Sequence, residues 1–166
     1  MSAPSATYRL QFNRDFTFAQ AAELVDYLAQ LGVSHVYASP FLKARPGSTH
    51  GYDIIDHNKL NPEIGERDDL VRLSDALKQR GMGLVLDFVP NHMGVGPDND
   101  WWADVLQWGR LSPYAGFFDV DWRSPRADLT GKVLLPVLGD QYGIILAKGE
   151  IRLGFEADTG SFSARY

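Results

Sequence analysis

Leu84-Val85-Leu86-Asp87-Phe88-Val89-Pro90-Asn91-His92 is the stretch on which the reading of this chain turns. Leu84 to Val89 is apolar almost throughout, the mark of a parallel strand covered on both faces, and a single charge, Asp87, interrupts it. Working back from it, Asp68 opens an amphipathic helix with Leu70, Leu73, Ala76 and Leu77 on one face. Lys78 and Arg80 sit in its last turn and Gly81 follows, as the helix dipole and C-terminal capping favour. His35 to Ser39 reads as another strand, stopped by Pro40. Before it, Thr17-Phe18-Ala19-Gln20 has the capping-box pattern, and Phe18, Ala21, Ala22, Val25, Leu28 and Ala29 form one apolar face. Gly32 stands where a left-handed helix end would fall. Thr7 to Phe12 alternates as a first strand. Strand, helix, strand, helix, strand is the order of an α/β fold with a parallel sheet and crossover helices.

Between the second strand and the second helix, Phe41 to Arg67 is rich in Gly, Pro, Asn and charge and reads as a long loop, functional or disordered. Past His92 the pattern changes. Asp100 to Trp108 is expected to be helical and Leu111 to Trp122 irregular. Lys132 to Leu138, Gly143 to Ala147, Ile151 to Phe155 and Ser161 to Arg165 read as strands, with Lys148-Gly149-Glu150 as a hairpin turn. A β-rich insert thus begins where the next crossover helix is due.

Composition bounds the function. The chain has 166 residues, 16 of them Lys or Arg and 21 Asp or Glu, a net charge of −5. That excludes a basic nucleic-acid binder. With no Cys there is no disulfide framework, thiolate nucleophile or Cys-based zinc site. Met1 to Ala6 lacks the pattern of a secretory signal, and the apolar runs are strand-length, so a cytoplasmic protein without membrane contact is expected.

Asp87 to His92 holds a charge within a strand and polar groups at its C-terminal end, where parallel α/β barrels place their chemistry. A structural Asp capping a turn, with His92 an ordinary loop residue, fits the same spacing. His50-Gly51-Tyr52-Asp53 joins a flexible backbone position to an aromatic face with a polar tip, and it also fits a packed surface turn. Asp98-Asn99-Asp100 lacks the remaining positions of a calcium loop. His50, His57 and His92 lack the i, i+4 pairing of a zinc helix. His35 reads as a hydrogen-bonded core histidine. Trp101, Val105 and Trp108 make a helical stripe explained first by packing and second by sugar stacking. Patterns for dinucleotide, ATP-type and esterase chemistry do not occur.

Asp87-Phe88-Val89-Pro90-Asn91-His92 closely resembles the first short conserved region of the α-amylase family (glycoside hydrolase family 13), at the end of its third barrel strand. His50-Gly51-Tyr52-Asp53 resembles the loop whose Tyr stacks under the sugar in that family's −1 subsite. Thr7-Tyr8-Arg9-Leu10-Gln11-Phe12, His35-Val36-Tyr37-Ala38-Ser39-Pro40, Gly47-Ser48-Thr49 and Asn61-Pro62-Glu63-Ile64-Gly65 narrow the likeness to a trehalose-forming branch. It runs from about Ala6 to Trp122 and more weakly to the end. The resemblance implies the first three strands of a (β/α)8 TIM barrel in residues 1–92, and the start of a β-rich subdomain inserted after strand 3 in residues 93–166. It makes Tyr52 the stacking platform, His92 a hydrogen-bond partner of the same glucose, and Asp87 a buried carboxylate ordering the site floor. His50 and Asp53 belong to the same substrate-binding loop. Asn91 matches a calcium ligand of many members and is read here as structural, with no metal and no cofactor expected. The catalytic nucleophile and acid/base of the family are expected beyond Tyr166, so the chain alone is expected to be inactive. The complete enzyme, expected as a monomer, would take a maltooligosaccharide or α-1,4-glucan and turn its terminal α-1,4 bond into an α,α-1,1 bond by intramolecular transglucosylation. An amylase-type hydrolase and a non-catalytic carbohydrate-binding module are the alternatives.

Overall fold

Thr17 caps its helix as the pattern requires. Its hydroxyl accepts from the Gln20 N–H at 3.4 Å, while the Gln20 side-chain oxygen accepts from the Thr17 N–H at 2.8 Å. In the computed structural model, which describes residues 3–166, this helix is α1, Phe18–Gln30, between strands β1, Thr7–Leu10, and β2, His35–Ala38. The reading of Met1 to Ala6 falls partly on Met1 and Ser2, outside the described residues. Gly32 has φ +83°, the left-handed conformation expected after α1. Helix α2, Arg67–Gln79, then leads to β5, Gly83–Leu86. β1, β2 and β5 form one parallel sheet in that order, with Arg9 opposite Tyr37 and Tyr37 opposite Val85.

Alternation divides the sheet's two faces. Leu10, Val36 and Ala38 are buried in one core with Phe18, Val25 and Leu28 of α1 and Leu73 and Leu77 of α2. Phe12 and Phe41 close its upper end, their rings 5.1 Å and 5.4 Å from that of Phe18. Arg9, His35 and Tyr37 alternate with those core residues along β1 and β2. The His35 ring covers Gly83, where any side chain would collide with it, and its Nδ1 lies 3.0 Å from the Ser34 hydroxyl.

Three expectations are corrected. β5 is only partly covered within these residues: Gly83, Leu84 and Val85 are half-buried, and Leu86 and, past the strand, Phe88 are more than half exposed. Asp87 stands just past the strand's end rather than inside it. The 41–67 stretch is no irregular loop, since it carries β3, Leu42–Ala44, paired antiparallel with β4, Ile54–Leu60. Only Ala44, Ile54 and Ile55 of this ribbon are buried, so its polar remainder hid the strand signal.

Beyond β5, helix α3 spans Asp100–Trp108 and is capped by Asn99, a fully buried side chain. The Asn99 carbonyl oxygen accepts from the Trp101 and Trp102 N–H groups, at 3.0 and 3.1 Å. Its buried face is Trp102 with Val105; of the expected Trp101–Val105–Trp108 stripe, Val105 is buried and Trp101 packs on Tyr114 and Phe117, while Trp108 is exposed. The chain divides into two compact units, the first ending at Asp119 and the second spanning Val120–Tyr166. In the second, Lys132 to Leu138 forms no strand, and Gly143 to Ala147 lies in a short helix, α4, Tyr142–Ala147. A brief apolar run fits either state by periodicity. Here the Gln141 carbonyl accepts from the Ile144 and Ile145 N–H groups, and Ile145 alone is buried. Lys148-Gly149-Glu150 therefore ends a helix. The hairpin is β6, Arg152–Glu156, with β7, Ser161–Arg165, turning at residues 157–160. Among the described residues no helix is long and apolar enough to cross a membrane.

Candidate functional site

Parallel strands all point the same way, so whatever follows them gathers at one end of the sheet. Arg9 leaves β1 on the face opposite the core, and its guanidinium reaches over the Tyr37 ring of β2, 4.7 Å from the centroid. One nitrogen donates to Asp87 Oδ2 at 2.9 Å and another to the Tyr52 hydroxyl at 2.9 Å. The Tyr52 hydroxyl in turn donates to the same Asp87 oxygen at 2.5 Å. Cation, phenol and carboxylate thus close a triangle. The Asp87 side chain, 15% exposed, is half-buried rather than sealed in a core.

The triangle sets its own charges. The Tyr52 phenol and then the Arg9 guanidinium hold the Asp87 carboxyl below the usual carboxylate range. Asp87 raises Arg9, and it is also the main cause that pushes the Tyr52 phenol upward, keeping it neutral. A lowered carboxyl stabilises the fold above its unfolded value of about 4 and stops doing so as pH falls through the folded value. Wild type should therefore be more stable than Asp87→Asn at neutral pH. The gap should close as the pH is taken below about 4. Urea unfolding midpoints of both proteins at neutral and acid pH check this; a gap that does not change with pH contradicts it.

The loop that presents Tyr52 is held from several sides. Gln11, the next outward residue of the first segment, donates to the Thr49 and His50 carbonyls at 3.3 Å. Ser48 donates to Asp53 Oδ1 at 2.5 Å and accepts from the Gly51 N–H at 3.1 Å. The Tyr52 N–H donates to His50 Nδ1 at 3.1 Å, and the two rings stack 6.0 Å apart. Gly51 is buried at φ +76°, against the Pro40 carbonyl, with no room for a Cβ. A second loop is laced to this one. The Gly94 N–H donates to Ile54 O at 2.8 Å and Arg45 pairs with Asp98 at 3.4 Å, while within the second loop Asn99 donates to Gly94 O at 2.9 Å.

Of the residues expected from the sequence, the structure brings Tyr52 and Asp87 into contact, with His50 and Asp53 in the supporting loop. Asn91 and His92 make no hydrogen bond to that triangle among the described residues. They are exposed, with His92 Nδ1 3.2 Å from Asn91 Oδ1, and they line a cleft of about 540 Å³ with Phe88, which follows Asp87, and with Trp101 and Phe117. Trp101 stacks on Tyr114 at 5.2 Å with planes 6° apart. Among the described residues no three His, Asp or Glu side chains gather as a metal-holding group, at Asn91 or elsewhere. Sequence reading missed Arg9, Gln11 and Tyr37 as site residues. The signal was present in the alternation of Thr7 to Phe12, whose outward positions are Arg9 and Gln11.

Comparison with known proteins gives this end of the sheet a context. The family model described as alpha amylase, catalytic domain, matches residues 20–143. A putative maltooligosyl trehalose synthase of Mycobacterium tuberculosis is 52% identical over 141 residues, covering 81% of this chain and 18% of that protein. A crystal structure of a maltooligosyl trehalose synthase superposes with a TM-score of 0.87 at 38% identity, over 99% of this chain and 22% of the other. The maltooligosyltrehalose synthase from Arthrobacter ramosus gives 0.80 at 44% identity, over 91% and 19%. The chain therefore spans about a fifth of the length of the relatives it matches. With three-quarters of its residues inside the family model, and with part of the α/β barrel fold of that family in its parallel sheet, the chain belongs to the α-amylase family.

Proposed function

We propose that the chain is part of an isomerase that converts maltooligosaccharides to maltooligosyltrehalose by intramolecular transglucosylation. The observation that carries this is Tyr52, bound through its hydroxyl to Asp87 and Arg9 at the C-terminal end of the parallel strands while the residue stays 37% exposed. Identity of 52% to a putative synthase supports the trehalose-forming branch over other members. In this reading Tyr52 lies beneath the reacting glucose and His92 bonds one of its hydroxyls. His50, Asp53 and Asn91 shape the same substrate-binding region. Asp87, already engaged twice, orders the floor and is not the nucleophile. The nucleophile and acid/base are supplied outside residues 1–166. Residues 1–92 are the first part of the barrel, and residues 93–166 begin the inserted subdomain.

The chemistry of the complete enzyme balances within one substrate molecule. A carboxylate displaces the reducing-end glucose from its α-1,4 bond, giving a covalent glycosyl-enzyme, as the acid protonates the leaving oxygen. The freed glucose is turned, and its anomeric hydroxyl attacks that intermediate, returning the proton to the acid/base. Water must be kept out for transfer to win over hydrolysis. That Trp101 and Phe117 line one cleft with His92 supports reading them as part of such a wall.

Product analysis tests the proposal. A full-length enzyme carrying this segment, given maltopentaose, should consume reducing ends while the number of sugar molecules stays constant. Reducing-sugar assay beside chromatography reads both quantities. A rise in reducing ends with accumulation of shorter maltooligosaccharides replaces this reading with that of a hydrolase.

A further inference from the structure

The Tyr52 phenol has two functions that compete for its orientation: an aromatic face to offer and a hydroxyl that seeks partners. A phenol has one proton to donate and lone pairs to accept with. Both capacities are used within the triangle, the donor on Asp87 and an acceptor position on Arg9. Each bond has an ionised partner and is therefore stronger than a neutral one. Arg9 is the member that joins separate elements: it belongs to β1, Tyr52 to the loop before β4, and Asp87 to the end of β5. Its guanidinium is planar and forked, so it meets two acceptors at once in one fixed plane, which an ammonium cannot do. That plane is itself held, by the Tyr37 ring beneath it and by the Gln11 side-chain oxygen 3.5 Å from the nitrogen that serves Tyr52.

We infer that Arg9 is a positioning residue for sugar binding. It locks the tilt of the Tyr52 ring through the phenol oxygen and occupies that oxygen, so the ring meets the sugar with its face alone. The inference rests on the reading of Tyr52 as the stacking platform, and it adds a residue that acts without touching substrate. A ring left free to rotate would still bind sugar, but it would hold the reacting geometry for a smaller share of the time.

The test uses a full-length enzyme carrying this segment, assayed on maltopentaose, with kcat and KM separated and thermal melting measured beside them. Arg9→Gln should lower kcat about 10-fold with a smaller change in KM, as expected for loss of orientation. Arg9→Lys keeps the charge opposite Asp87, so it should restore the melting temperature but not kcat. Should Arg9→Gln fail to fold, Arg9→Lys alone carries the comparison. The decisive measurement is the pair in a Tyr52→Phe background, where the phenol oxygen is gone. There the Arg9 substitution should cost less than about 2-fold further in kcat. An undiminished loss in that background, or full recovery of kcat by Arg9→Lys, overturns the inference while leaving the platform standing. Near-wild-type kinetics for Tyr52→Ala is a different result. It removes the platform itself, and the inference with it.

Discussion

Replacing Tyr52 by alanine in a full-length enzyme carrying this segment should lower kcat/KM by about 10-fold or more, which is about 1.4 kcal/mol of lost transition-state stabilisation. The substitution removes the face offered to the sugar. It also leaves Asp87 and Arg9 each without one of their hydrogen bonds. His92→Ala should act in the same direction, though less strongly, because the exposed imidazole contributes a hydrogen bond and, among the described residues, bonds only Asn91. Steady-state kinetics on maltopentaose decide the matter. If both variants match wild type, the reacting sugar does not sit here.

Gly51→Ala should cost stability out of proportion to the one methyl group it adds. The residue stands at φ +76°, where an L side chain is strained by about 1–2 kcal/mol, and the new Cβ would run into the Pro40 carbonyl. A backbone oxygen cannot swing aside as a flexible side chain would. The Gly51 N–H bond to Ser48 must give, and with it the Ser48–Asp53 contact that braces the loop. A total of about 2–3 kcal/mol is expected, read as a lower urea midpoint. The loss should be larger than for alanine at Gly32, which has positive φ but open space around it. Equal losses at the two positions would mean that the collision with Pro40 is relieved at little cost.

The parallel sheet was legible because its signals are local. Capping at Thr17, the apolar face from Phe18 to Leu28 and the run ending at Leu86 each specify an element from neighbours in sequence. The ribbon of β3 and β4 was not legible, since its pairing brings Leu42 to Leu60 across polar residues that carry no alternation. Gly143 to Ala147 failed for another reason: five apolar residues suit a strand or a helix, and the Gln141 carbonyl, outside that run, decided for the helix. At the site, Tyr52 and Asp87 could be named from their motifs. For Arg9 the alternation of β1 marked only an outward position; its two partners, 43 and 78 positions away in sequence, were not legible.

The lacing between the two loops has a consequence for engineering. Gly94 bonds to Ile54 and Arg45 pairs with Asp98, while Asn99 holds Gly94 from within its own segment, so the Tyr52 loop and the segment after His92 are fastened to each other at two points. Gly94 also sits so close to the Asp53 carbonyl that any side chain there would crowd it. Neither loop is a module that can be transplanted by itself. In a chimera that borrows residues 45–54 from a relative and keeps its own 93–99, the main-chain bond to Gly94 can re-form, whereas the Arg45–Asp98 pair and the close fit of Gly94 against Asp53 depend on residues of both stretches, so the two are best exchanged as a pair.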